Sequence, residues 1–268
     1  MKSIIICRDE PRHIYFANYI ENLTDVKALV IQRSKPFYKA IKGFFTVYRK
    51  SNKLIKFIKR KASCRVQLEK DYFFQESTPR FVHKICLLDV YNINDKKVVE
   101  LIREKSPDLI LTFGCGILKD ELFFNTPSVG IVNLHSGIVP DYRGVDNVYW
   151  CLYNKDPSKI GATIHYVDRT IDTGDVLIRF YPEINPGDNE MTLFNKTIMG
   201  GINEFKTLLN DFNLAKTKIK GCAQTYRGHL YQEKDRNLLT DLKVTWFLRR
   251  GGLSFSQRKG YAECLYKI

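Results

Sequence analysis

Between Ser106-Pro107 and Gly114-Cys115-Gly116 the chain reads Leu109-Ile110-Leu111-Thr112-Phe113, almost without polar interruption. A strand with one wet face alternates apolar and polar residues, so this run fits a strand buried on both faces. Such strands belong to parallel sheets covered by helices on both sides. The neighbouring patterns agree. Ser3 to Cys7, Val26 to Gln32 and Ser128 to Leu134 are further strand candidates. Helical spacing runs from about Ile14 to Leu23, and from Asn94 or Asp95 to Lys105, where Ser106-Pro107 stops it. Downstream come a helix near Asn147 to Tyr153 and strands at Gly161 to Val167 and Asp175 to Tyr181. After Pro186-Gly187, Asp188 is a plausible N-cap for a helix carrying Met191, Phe194, Ile198, Ile202, Phe205 and Leu209 on one side. Gly200-Gly201 in its middle implies close packing.

This alternation predicts an α/β fold: an open, largely parallel, Rossmann-like twisted sheet flanked by helices. Ligands of such sheets bind beyond the carboxyl ends of the strands. No GxGxxG opens the first helix and no GxxxxGK[ST] occurs, so dinucleotide and P-loop functions lack their fingerprints. From about Gly221 the pattern shifts to short β-like pieces, Ala223 to Tyr226 and His229 to Gln232, and a last helix near Leu238 to Arg249. The expected division is a core over 1–212, including a basic helical insertion at about 33–70, and a small C-terminal α+β appendage over 213–268.

The net charge of +14 is local. Arg33 to Lys70 holds 13 Lys or Arg and one acid, Glu69, while the rest of the chain holds 30 basic and 28 acidic residues. Within the basic segment Phe37, Ile41, Phe44, Phe45 and Tyr48, then Leu54, Ile55 and Ile58, recur at helical spacing. Three readings stand side by side: a helix packing its apolar side on the core, a peripheral contact with an anionic membrane or anionic substrate, and a nucleic-acid contact. A basic stripe alone supplies only the nonspecific part of nucleic-acid binding, so nucleic acid is not the expected partner.

Hydrophobic residues at 44% and charged residues at 27% exclude disorder. No stretch approaches the ~20 apolar residues of a membrane span, and the apolar start ends at Arg8-Asp9-Glu10, too early for a secretory signal. Seven cysteines, odd in number and without a CxxC pair, fit a reducing, cytoplasmic setting. No zinc-ligand spacing is present, so no metal is expected.

The chemistry concentrates between Val132 and Leu177. Asn133 and His135, two apart in a strand, project to one face at its carboxyl end. An amide beside an imidazole can stabilise a developing oxyanion, and the imidazole can move a proton near neutral pH. The loop that follows carries Pro140, Tyr142, Arg143 and Gly144, and Arg143 offers a planar fork for phosphate or carboxylate. Asp172-Thr173-Gly174-Asp175 is a turn between two strands that brings Asp172 to the sheet edge, where it can orient His135. Against this stands a bland alternative in which each residue satisfies its own turn or core hydrogen bonds. His165, mid-strand, reads as structural or as a secondary ligand contact. A Ser-His-Asp hydrolase through Ser136 or Ser158 lacks the GxSxG elbow.

Taken together, Asn133-x-His135, the loop Pro140-x-Tyr142-Arg143-Gly144, and Asp172-x-Gly174 thirty-nine residues after the Asn resemble the folate-dependent formyltransferase family. The resemblance covers Asp95 to Phe205 well and the N-terminal strand-helix-strand loosely. It implies a catalytic triad of Asn133, His135 and Asp172. In the implied reaction a substrate amine attacks the formyl carbon of 10-formyltetrahydrofolate, Asn133 and His135 stabilise the oxyanion, and His135 with Asp172 manages the protons. The implied folate contacts are Gly114, Gly116, Ile117 and Leu118, with Val167, Asp168 and Ile171 before the Asp. The family commonly reads His-x-Ser-Leu-Leu-Pro, whereas Gly137 here takes the Ser place and Ile138-Val139 replace the leucines.

Among the family's branches the chain looks most like the sugar N-formyltransferases. The tRNA enzymes carry a larger C-terminal barrel, the hydrolases an N-terminal regulatory domain, and the purine enzymes neither the basic segment nor the tail. The implied partner is a nucleotide-linked amino deoxy sugar for surface polysaccharide (O-antigen, lipopolysaccharide), with Tyr142 and Arg143 as candidate substrate contacts and Arg143 aimed at the pyrophosphate. Formylation of Met-tRNA, with residues 33–70 on the RNA, is an alternative; so is a catalytically idle basic binding module on the same fold. Trp246, Phe247 and Leu248 in the tail read either as a homodimer contact or as packing back onto the core.

Overall fold

The computed structural model describes residues 1–34, 64–75, 77–82, 86–123, 127–254 and 256–267. The amphipathic pattern expected from Phe37 to Ile58 lies outside them. Strands β1 (Lys2–Cys7), β2 (Asp25–Gln32), β3 (Cys86–Val90), β4 (Leu109–Phe113) and β5 (Gly130–His135) are all parallel, in the order β3-β2-β1-β4-β5. Antiparallel strands β7 (Ala162–Tyr166), β8 (Val176–Tyr181) and β10 (Tyr261–Cys264) extend the sheet beyond β5 to eight strands. The mixed sheet is therefore mostly parallel, as the apolar runs predict.

The continuous runs arise because alternate residues feed two cores. Ile5, Cys7, Leu29 and Ile31 face one, with Phe16 and Ile20 of helix α1 (Pro11–Glu21) and Phe194, Ile198 and Ile202 of helix α6 (Glu190–Asn203). Ile4, Ile6, Ala28 and Val30 face the other, under Val98, Leu101 and Ile102 of helix α3 (Lys96–Lys105). Helix α2 (residues 64–74) precedes α3, and the short α4 (Asp120–Phe123) follows it.

Local signals set most boundaries. Pro11 opens α1 with its φ already helical, the Asp95 side chain accepts from Lys97 N–H to cap α3, and Ser106 closes α3 in the left-handed region. Three expectations need revision. The cap of α6 is Asn189, in a reciprocal box with Thr192, while Asp188 instead accepts from Lys196 and the Thr192 hydroxyl. The long helix is two, broken at Glu204, with α7 (Phe205–Ala215) continuing. Ala223 to Tyr226 forms no strand, only a bridge between Cys222 and Val176. Gly200 and Gly201 do mark close packing, because a Cβ there would overlap the Phe180 ring or meet Leu134 and Ala162.

Helix α5 (Asn147–Tyr153) packs under α8 (Leu238–Arg249). A small second sheet pairs β6 (Tyr142–Gly144) with β9 (His229–Tyr231). The chain leaves β1 toward β2 and β3, then returns to the opposite side of β1 as β4. The carboxyl ends on either side of that reversal are where an open α/β sheet forms its ligand crevice.

Candidate active site

Asn133 on β5 lies between Thr112 on β4 and His165 on β7, its direct neighbours in the two flanking registers. The Thr112 hydroxyl donates to Asn133 Oδ1 at 2.9 Å, and Asn133 Nδ2 is 3.2 Å from His165 Nε2. His165 Nδ1 is 2.7 Å from the Tyr166 carbonyl, which can only accept, so Nδ1 carries the hydrogen. Nε2 faces both Asn133 Nδ2 and the Asp172 carboxylate.

Asp172 links the two imidazoles. Its Oδ1 lies 3.6 Å from His165 Nε2 and its Oδ2 lies 3.5 Å from His135 Nδ1. The Gly144 N–H donates to Oδ2 at 2.8 Å. His135 Nε2 is 2.9 Å from the Tyr142 carbonyl, which can only accept, and 3.2 Å from Asn147 Nδ2; with the hydrogen on Nε2 toward the nearer carbonyl, Nδ1 is bare toward the carboxylate. The result is a continuous polar chain, Asn133–His165–Asp172–His135. Burial alone would raise the Asp172 carboxyl, but the two imidazoles and the Gly144 N–H outweigh it and hold the group far below the usual carboxylate range. Burial pushes His135 down from its ordinary value despite Asp172, so its ring is neutral at pH 7.

The backbone of Asp172 is held at a positive φ of 54°. Arg143 Nε and Nη2 donate to the Ile171 carbonyl at 2.9 and 2.7 Å, and Gln224 Nε2 donates to the carbonyls of Asp172 and Gly174 at 3.1 and 2.8 Å. Asp accepts the left-handed region better than most residues, and the Arg143 and Gln224 side chains hold the turn there.

Thr112, Asn133, His165 and Asp172 form the inner end of a cavity of about 110 Å³. Its walls are Cys115, Gly116, Ile117 and Leu118 after β4, and Val167, Asp168, Thr170 and Ile171 after β7. Of the expected folate contacts, Gly116, Ile117, Leu118, Val167, Asp168 and Ile171 thus line one space, whereas Gly114 is not part of its lining. Gly114 has φ +64°, and a Cβ there would fall 2.1 Å from His13 Nε2. Among the described residues no group of three or more His, Cys, Asp or Glu is arranged to hold a metal ion.

Two expected substrate contacts are placed elsewhere. Arg143 is buried, with its guanidinium on the Ile171 and Gly228 carbonyls. Tyr142 is buried and stacked on Tyr231, its hydroxyl accepting from Asn154. Both shape the loop that positions Asp172 instead of facing the cavity. His135 likewise sits behind Asp172, with His165 taking the cavity side.

The profile of the family described as formyl transferase matches residues 48–203, more than half of the chain. The chain belongs to that family. Methionyl-tRNA formyltransferase of Geotalea daltonii is 30% identical over 154 residues, 56% of this chain and 49% of that protein. The bifunctional polymyxin resistance protein ArnA of Wigglesworthia glossinidia brevipalpis is 30% identical over 173 residues, 65% of this chain and 26% of that one. The chain therefore spans half or less of these curated relatives. A sugar N-formyltransferase from a Shewanella species shares the fold with a TM-score of 0.57 at 19% identity, over 94% of this chain and 87% of that one. The N-formyltransferase of Helicobacter canadensis, solved with folinic acid and dTDP-3-aminofucose, gives 0.56 at 17% identity over 88% and 73%.

Two amides outside the cavity staple its outer wall. Gly116 N–H donates to Gln32 Oε1 at 2.7 Å, from the carboxyl end of β2. Asn94 Nδ2 donates to the Ile117 carbonyl at 2.9 Å, and Lys119 N–H donates to Asn94 Oδ1 at 2.7 Å. Gln32→Leu is expected to raise the KM of the formyl donor by about tenfold, the value of one hydrogen bond, with kcat little changed. Gln32→Glu, which keeps an acceptor for Gly116, restores it. Equal donor KM in both variants would remove Gln32 from this role.

Proposed function

We propose that the protein transfers a formyl group from 10-formyltetrahydrofolate to the amino group of a nucleotide-linked amino deoxy sugar, a cytoplasmic step toward surface polysaccharide. The carrying observation is the polar chain Asn133–His165–Asp172–His135 at the inner end of a cavity whose walls are mostly apolar, with Asp168 and Thr170 among them. The donor set suits acyl transfer: an amide donor, an ionised carboxylate and a bare ring nitrogen within reach of one another. Residues 115–118 and 167–171 would hold 10-formyltetrahydrofolate, which supplies an electrophilic formyl carbon.

Asn133 Nδ2 then presents a fixed donor to negative charge building on oxygen, with Thr112 holding the amide in place. A donor of that kind is worth about 10²–10³ in kcat. Asp172, ionised and facing the cavity, takes the proton released by an attacking amine. His135 Nδ1, 3.5 Å from Oδ2, is the next acceptor, and the carboxylate stabilises the imidazolium so formed. Burial makes that proton easy to return to solvent or to the departing donor. Since Nδ1 must be empty to accept, kcat/KM is expected to fall as pH drops through the depressed His135 value, below the ordinary 6.5, and to be flat around pH 7.

The sugar acceptor is supported by the fold shared with sugar N-formyltransferases. Met-tRNA is the second reading, favoured by the methionyl-tRNA formyltransferases among the sequence relatives and by the basic segment. The test incubates the protein with 10-formyltetrahydrofolate and a panel of dTDP-, GDP- and UDP-linked 3-amino and 4-amino sugars, following tetrahydrofolate release. Turnover with one nucleotide sugar is the expected result. Turnover with Met-tRNA and none of the sugars would replace the acceptor, and formate release without any acceptor would replace transfer by hydrolysis.

A further inference from the structure

Among the described residues, helix α8 leaves one apolar face exposed. Leu238, Leu239, Leu242 and Trp246 are 68%, 72%, 57% and 51% exposed, while Val244 on the other side is buried in the core. At 3.6 residues per turn those four share one arc with Lys243, Arg249 and Arg250, all three exposed. Asp241 lies on the opposite flank, held by Arg236 Nε at 3.0 Å. The arc therefore carries four apolar residues, three cations and no acid. Two cations meet its tryptophan: the Arg250 guanidinium lies 4.4 Å from the Trp246 ring centroid, and Lys155, in the turn after α5, brings Nζ to 5.8 Å.

We propose that this face of α8 docks the protein on an anionic lipid surface. Charge selects that occupant. A two-fold contact with a second copy would press Lys243, Arg249 and Arg250 against the same residues of the copy. The chain's own segment from Arg33 to Lys70, with 13 basic residues and one acid, is an equally poor match. An anionic bilayer meets both halves of the pattern. Leucines and the indole enter the headgroup boundary, while the long basic side chains reach back to the phosphates. The inference stands on this surface and does not depend on which amine is formylated.

Sedimentation of the full chain at low salt with vesicles of equimolar phosphatidylglycerol and phosphatidylcholine tests it. The wild type is expected to pellet with these vesicles and not with pure phosphatidylcholine. Trp246 emission should shift to the blue, over a constant background from Trp150, which is 4% exposed. The triple variant Lys243→Glu, Arg249→Glu, Arg250→Glu is expected to lower partitioning on the order of a hundredfold, about fivefold per cation removed. The double variant Leu239→Ser, Leu242→Ser should abolish the blue shift with its circular dichroism intact. Vesicle binding unchanged in both variants would assign it to residues 33–70 and overturn the proposal. So would absent binding, or a dimer in light scattering that the double variant dissolves.

Discussion

Asp172→Asn is expected to lower kcat by about 10³-fold, within the range of a lost acid–base group, while donor binding stays within a few-fold. The amide keeps the volume and can still accept from Gly144 N–H, so the turn survives. What disappears is the charge between the two imidazoles at the inner end of the cavity. His135 Nδ1, which sits behind Asp172, then has no route by which an amine proton can arrive. Stability offers a separate readout. Because the folded state depresses the Asp172 carboxyl, the wild type holds stability above the ordinary carboxylate pKa of about 4 and loses it as pH falls below that range. The variant lacks that component, so its Tm should fall less as pH drops below about 4. A kcat within tenfold of wild type would remove Asp172 from proton transfer.

Gly144→Ala is expected to cost about 3–5 kcal/mol, from backbone strain plus overpacking, and to impair activity as well. Gly144 sits at φ +87°, and a Cβ there would lie 2.1 Å from the Tyr231 carbonyl, a backbone atom paired with it across β6 and β9. Neither strand can yield without parting, and the Gly144 N–H would leave Asp172 as they do. Gly187→Ala is the matching control, since nothing lies within 4 Å of its added Cβ. Equal unfolding free energies for the two variants would contradict this picture.

Residues whose signal is local were readable from the chain itself. Leu109–Phe113 needs only its own apolarity to be a doubly covered strand, and the helices expected near Asn147–Tyr153 and Leu238–Arg249 are found with those bounds. Asn133, His135 and Asp172 stand out because their types and spacing form a pattern, and the structure brings all three into one polar chain. His165 was undervalued because its partner is set by the antiparallel register of β5 and β7, which no local pattern encodes. Arg143 misled for a related reason. Its guanidinium suits phosphate equally well, but the fold wraps the Ile171 carbonyl around it. Strand β10 escaped notice because Tyr-Ala-Glu-Cys has neither alternation nor a hydrophobic run, and pairs only at a sheet edge.

The position of β10 also bears on how the protein is made. Translation delivers seven of the eight strands of the main sheet well before Tyr261–Cys264 emerges to close the edge of β8. During that interval Ile178 to Tyr181 presents open backbone hydrogen-bonding groups, the usual template for pairing between nascent chains. Polysomes, which crowd such half-finished sheets together, are thus where this fold is most exposed to misassembly, and holding chaperones have their strongest claim on it there.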